Sequence, residues 1–183
     1  MGKRTLSYRA ALCVMAVMIV FAVLLGGGRS LRALRDGVEE IFWNGADGDG
    51  IGIGSDLGKN TSDAVNLLSV ARGYDVSADA LAELEAALDA MDAAGRDINA
   101  LYAANAELTG CVTAVYEDLG RQPLSERDEG YRQSLYHNIL SRSDTMGRDP
   151  YNEQALAFNQ TLTRFPANLL GAATFVQPVP LFR

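Results

Sequence analysis

Residues 10–25 read AALCVMAVMIVFAVLL, sixteen apolar residues in succession, and no other stretch restricts the fold so strongly. Gly26, Gly27 and Gly28 lengthen the uncharged run to nineteen residues, bounded by Arg9 and Arg29. In a helix, nineteen residues extend about 28 Å, close to the hydrocarbon thickness of a bilayer. The run therefore predicts a membrane-spanning helix whose apolar part begins at Ala10 and ends at Leu25. A cleaved signal peptide shares the basic start and apolar middle. Here the run ends in LLGGGRS, with neither an A-x-A-like site nor a lipobox cysteine, which favours a retained anchor. Hydropathy thus places an anchor at residues 1–28 and a water-soluble domain at 29–183, long enough for one proper core. Lys3, Arg4 and Arg9 before the span equal Arg29, Arg32 and Arg35 after it, so the positive-inside count leaves orientation open.

Charge is as uneven as hydropathy. All 23 acidic residues follow the apolar run, and 13 basic residues accompany them, which gives residues 29–183 a net charge of −10. Such a surface repels phosphate backbones, so nucleic acid is not an expected partner; basic proteins or cations fit better, and plain solubility is the preferred reading of the charge. Cys13 and Cys111 are too far apart in the chain to be expected to pair. One histidine and no CxxC argue against zinc.

Beyond the run, Leu31, Leu34, Val38, Ile41 and Phe42 recur at helical spacing, which carries the anchor helix into water with the triple glycine as a weak point. Residues 44–56, NGADGDGIGIGSD, hold five glycines that end regular helix. A helix starting at Ser55 or Asp56 has the stripe Leu57, Ala64, Leu67, Leu68 and Ala71. Ser77 caps a long run to about Leu119 with apolar period, in which Gly95 or Gly110 marks a bend. Glu126–Ser143 is helical, with Tyr131, Leu135, Ile139 and Leu140 on one side. Asp149-Pro150 restarts a helix to about Leu170, with Phe165-Pro166 punctuating its pattern and the helix able to pick up again through Ala167–Leu170, and Pro178 and Pro180 keep the tail from being helical throughout. The predicted fold is all-α: an N-terminal transmembrane helix followed by an antiparallel bundle of about four long helices.

The most distinctive segment is YNEQALAFNQTLTRFPANLLGAATF, residues 151–175. Tyr151, Ala155, Phe158, Leu162, Phe165 and Leu169 form one stripe, expected in the core, and Asn152 and Asn159 lie seven apart beside it. Asparagines so placed suit register between helices, or contact with a partner. In the tail, Leu169, Leu170, Phe175, Val176, Leu181 and Phe182 either pack back on the bundle or form a contact patch.

This segment resembles the LemA family signature, YN…V..YN…I..FP before a Gly-Phe-containing tail. Asn66–Tyr74, NLLSVARGY, is similar to the family's NLV..VKGY helix, and Asn105–Leu108, NAEL, sits where the family has a similar run. The glycine-rich loop replaces the family's basic, aspartate-containing stretch, and Asp149-Pro150 interrupts a helix that typical members run straight through. The resemblance implies a bacterial membrane protein with a short outer N-terminus and a cytoplasmic bundle. It implies no activity, since the family has no agreed molecular function.

Catalytic and metal chemistry find little support. Asp47 and Asp49 can take positions one and three of an EF-hand-like loop, but Ile51 and Gly58 then fall at ligand positions, and the shifted frame puts Gly45 at position one. A flexible polar loop fits better, with a cation- or ligand-sensing loop at 44–56 as the alternative. The Gly48–Gly54 spacing lacks the strand and basic residue of a phosphate cradle. His137 has Ser134 and Ser141 one turn away, without a glycine elbow or oxyanion donors. No Glu-x-x-His pair supports a di-iron centre. The sequence thus predicts a non-enzymatic scaffold without a cofactor, held in the lipid bilayer through residues 10–28 and meeting other membrane or membrane-associated proteins. Its apolar stripes leave self-association open.

Overall fold

The computed structural model describes residues 7–183, so Lys3 and Arg4 lie outside the described residues. Those residues form seven helices and no strand: α1 Tyr8–Asn44, α2 Ile53–Ala71, α3 Ala78–Ala94, α4 Ile98–Leu119, α5 Glu126–Gly147, α6 Tyr151–Leu162 and α7 Ala167–Thr174. The chain is all-α, with one long apolar N-terminal helix and a packed helical bundle.

By compactness the chain divides into two units. One takes in the chain up to Glu39 with Gln154–Val179, and the other is Glu40–Glu153 with Pro180–Arg183. This division differs from the one that hydropathy places after residue 28. Hydropathy follows where water is excluded, whereas compactness follows which segments fold against each other.

The second unit contains the bundle. In it α3 packs on α4 and α2 on α5, with further contacts of α2 with α3 and α4 and of α4 with α5. Polar bonds fix the directions. Ser77, capping α3, donates its backbone N–H to Asp118 near the end of α4 (2.8 Å), and Tyr74 after α2 donates its hydroxyl to Asp128 at the start of α5 (2.6 Å). Both pairs are therefore antiparallel; for α3 and α4 the short connection between them requires it. The predicted stripes form the core: Leu57, Ala64, Leu67, Leu68 and Ala71 of α2 are buried with Leu84 and Met91 of α3, Leu108, Val112 and Val115 of α4, and Ile139 of α5. Tyr131 and Leu140, expected on the apolar side of α5, are instead exposed.

Several predicted boundaries move. The run expected to continue from Ser77 to Leu119 is two helices, because Gly95 adopts φ +55 and Asp97 caps α4 by accepting from the N–H groups of Asn99 and Ala100. A positive φ suits glycine and stops an α-helix, while the aspartate supplies the partner that the next helix start lacks. The helix expected from Pro150 to Leu170 ends at Leu162, shortly before the expected punctuation at Phe165-Pro166, and resumes at Ala167 as α7. The triple glycine, by contrast, does not interrupt α1. In the first unit a Cβ on Gly27 would lie 2.8 Å from Leu170 Cδ1, and Gly28 faces Thr174. These glycines thus allow α7 to approach closely, which offsets their helix cost of roughly 1 kcal/mol each.

The glycine-rich segment is a closed turn. Gly45 N–H returns to Ile41 O (2.9 Å), Gly50 N–H to Asn44 O (2.9 Å), and Asp49 Oδ1 accepts from Ile51 N–H (2.9 Å). A Cβ on Gly52 would come within 2.6 Å of Phe42 O, 2.8 Å of Gly45 N and 2.9 Å of Ile41 O, all backbone atoms that cannot swing aside. Gly58, on α2, faces open space. Gly52→Ala is expected to destabilise the protein by about 1–3 kcal/mol. Gly58→Ala should gain up to about 1 kcal/mol from helix propensity. Chemical denaturation of the two variants reads this contrast, and equal midpoints would contradict the closed-turn account.

Candidate functional site

One N-terminal helix is long and apolar enough to cross a membrane. On α1, ten large apolar side chains from Leu12 to Leu25 are 41–61 % exposed, and Ala10 is half-buried. Further along the same helix Leu31 and Phe42 are buried. Full burial of an exposed apolar side chain is worth about 1.5–3 kcal/mol, so ten that are about half exposed leave on the order of 10 kcal/mol for some apolar surrounding to supply.

Asn152 and Asn159 do not set helix register. Each grips the backbone of the C-terminal tail with both ends of its amide. In the second unit Asn152 Nδ2 donates to Phe182 O (3.0 Å) and its Oδ1 accepts from Phe182 N–H (2.8 Å). In the first unit Asn159 Nδ2 donates to Val179 O (2.8 Å) and its Oδ1 accepts from Val179 N–H (2.8 Å). Seven helical residues advance about 10.5 Å. Three extended residues span about 10 Å, so the asparagine spacing equals the Val179–Phe182 spacing. Tyr151 adds its hydroxyl to Pro180 O (2.6 Å). Its ring meets Phe42 edge-on, and Phe182 packs on Phe42 and Tyr102.

Of the stripe expected in the core, Tyr151, Ala155 and Phe158 are buried, whereas Phe165 is 79 % exposed. The stripe ends with α6, and Phe165 falls in the turn after it. The tail divides between its two expected fates: Val176, Val179 and Phe182 are buried, while Leu169 and Phe175 are exposed.

The bundle also holds a polar core that apolar periodicity did not reveal. Asn60 of α2, fully buried, donates to Asn105 Oδ1 of α4 (3.3 Å) and accepts from Arg142 Nε of α5 (2.7 Å). Arg142 also makes a short ion pair with Asp63. Three helices are thereby tied at one level by groups that would each be costly to leave unpaired. The available signal was Asn60 itself, three residues after Leu57 and four before Ala64, a polar residue on an apolar face.

At the other end, Glu129 takes two 2.7 Å bonds from Arg132, which also donates to Tyr116 O (3.0 Å) and lies over the Tyr116 ring. The bonds from Arg132, then that from Gln133, bring the Glu129 carboxyl down from 4.5 to about 2 against a smaller opposing effect of desolvation. Hydrogen bonds from Tyr74 and then Ser125 likewise lower Asp128. Burial raises Asp149, the residue whose carboxylate accepts from Tyr151 N–H.

Asp47 lies exposed in the closed turn and Asp49 is engaged in shaping it. Among the described residues no group of three or more His, Cys, Asp or Glu side chains could hold an ion. His137 is exposed, its Nδ1 2.7 Å from Gln133 O rather than from a serine. A cavity of about 290 Å³ lies between Trp43, Gly54, Gly58, Met91 and Leu101, with Asp92 its one charged lining group.

Two predictions follow from these geometries. Asn152→Ala should speed amide exchange at Phe182, and Asn159→Ala at Val179, each by loss of a paired donor and acceptor, with exchange-resolved NMR as the readout. A carboxyl lowered in the folded state contributes stability that is complete above its ordinary value and is lost as pH falls through its folded value. The Glu129→Gln protein should therefore show a shallower loss of stability than wild type as pH falls from 4.5 to about 2; superimposable acid limbs would remove the Arg132–Glu129 pair from the account. Compared with known proteins, the chain matches no family model, no curated protein and no solved structure.

Proposed function

We propose that the chain is a single-pass protein of the bacterial cell membrane, of LemA type, whose helical bundle is a non-enzymatic scaffold on the cytoplasmic side. The observation that carries this reading is the ten-residue set of exposed apolar side chains on a helix that elsewhere contributes Leu31 and Phe42 to buried cores. A signal sequence would be removed, and removal near Gly28 would cut inside α1, at the glycines that α7 approaches. A retained span has no such cost. Lipid is the cover that fits a run of this length.

Tethering is the mechanism. Confinement to the membrane raises the bundle's effective concentration for neighbouring membrane proteins, so modest surface affinities suffice. The unit made of Glu40–Glu153 and Pro180–Arg183 carries 9 basic and 21 acidic residues, a net charge of −12. It therefore favours basic partner surfaces and stays off anionic lipid.

Alkaline carbonate should leave the protein in the membrane pellet, whereas release into the supernatant would contradict anchoring. For orientation, Asp47→Cys in a chain lacking Cys13 and Cys111 should resist an impermeant thiol reagent in intact cells and react after lysis. Labelling in intact cells would place the bundle outside.

A further inference from the structure

Resting on that anchored reading, we infer that the turn between α6 and α7, with Phe165 at its tip and Leu169 after it, is a second membrane contact that inserts into the lipid interface around α1. All of its elements belong to the first unit. Leu170 meets Gly27, and Thr174 meets Gly28, at the end of the uncharged run. Arg32 donates to Thr174 O (2.7 Å) and Arg35 to Gln177 O (3.1 Å). As the chain proceeds from Leu170 to Gln177, its partners on α1 advance from Gly27 to Arg35, away from the apolar run. Extended backwards in the same direction, the start of α7 and the turn before it would reach the level of the end of the apolar run. Ala167 is three residues before Leu170, about 5 Å along a helix, and Phe165 lies beyond it. Interfacial elements settle about 5–10 Å into the boundary between headgroups and acyl chains, which is the level this places the tip.

The exposed surface there is apolar. Phe165 is 79 % and Leu169 62 % exposed. Two large apolar side chains four residues apart, next to a helix that the anchored reading covers with lipid, continue that covered surface. Charge selects lipid over another protein as the occupant. Residues 154–179 contain no aspartate or glutamate in a chain with 23 of them, and Arg164 stands next to Phe165. With Arg29, Arg32 and Arg35 against Asp36 and Glu39, residues 29–39 and 154–179 carry +2. Arginines around apolar side chains match the anionic headgroup layer, and the long Arg164 side chain can hold its charge at the phosphates while the phenyl ring enters the acyl region.

The test places an environment-sensitive nitrobenzoxadiazole label on single cysteines in the full chain lacking Cys13 and Cys111, reconstituted in phosphatidylcholine–phosphatidylglycerol vesicles with brominated acyl chains. Phe165→Cys is compared with Val20→Cys on the apolar run and Asp36→Cys beyond it, and aqueous iodide is the second quencher. The inference expects acyl bromine to quench the label at 165 several-fold more than at 36, and iodide to quench it less. A label at 165 quenched by bromine no more than at 36, with 20 quenched, would leave the anchor standing and overturn the second contact. Protection of 165 from both quenchers would show a protein surface, such as a second copy, covering the tip, and would overturn the lipid assignment. If neither 20 nor 165 is quenched by bromine, the anchored reading fails and this inference with it.

Discussion

On the anchored reading proposed above, the structure depends on one helix that has to satisfy two solvents. Over its first half α1 presents apolar side chains all round, which water cannot cover at tolerable cost, and over its second half it presents Leu31 and Phe42 to buried cores. The backbone bonds of a helix are internal, so the same element can pass from one surrounding to the other without exposing unpaired groups. Gly26, Gly27 and Gly28 mark that passage. At Gly27 and Gly28 the lack of a side chain, which weakens an isolated helix, is what allows Leu170 and Thr174 to lie against the α1 backbone.

The tail owes its path to asparagine chemistry. An amide side chain carries a donor and an acceptor in the same arrangement as a peptide group, so Asn152 and Asn159 can each replace one rung of a β-ladder for an extended segment that has no strand to pair with. Pro178 and Pro180 suit this path, because the residues that must donate an N–H are Val179 and Phe182.

Most helices were legible because burial leaves a 3.6-residue trace. The stripe of α2 and the caps at Ser77 and Asp149 are found where periodicity and capping chemistry place them. The break at Gly95 was harder, because Leu88, Met91, Ile98 and Leu101 keep helical spacing across the three-residue reversal. Only the pairing of a glycine with Asp97 two residues later signals a stop and a new start. The polar core of Asn60, Asn105, Arg142 and Asp63 was legible only at Asn60, a polar residue on the apolar face of α2, because its partners come from other helices and no local pattern joins residues so far apart. Phe165 was misassigned because its spacing continued the α6 stripe, although the helix ends three residues earlier. Of the candidate site, the apolar run was plain in the sequence, and the turn at Phe165 could be recognised only once its exposure was seen.

The central claim is that residues 10–28 stay in the mature protein as part of a helix spanning lipid. Intact-mass measurement on protein from the membrane fraction of cells tests it most directly. The account predicts a chain that retains Ala10–Gly28, recovered with the membranes. A soluble chain beginning at or after Gly28 would contradict it, because the helix that α7 packs against would then have been cut at the contact itself.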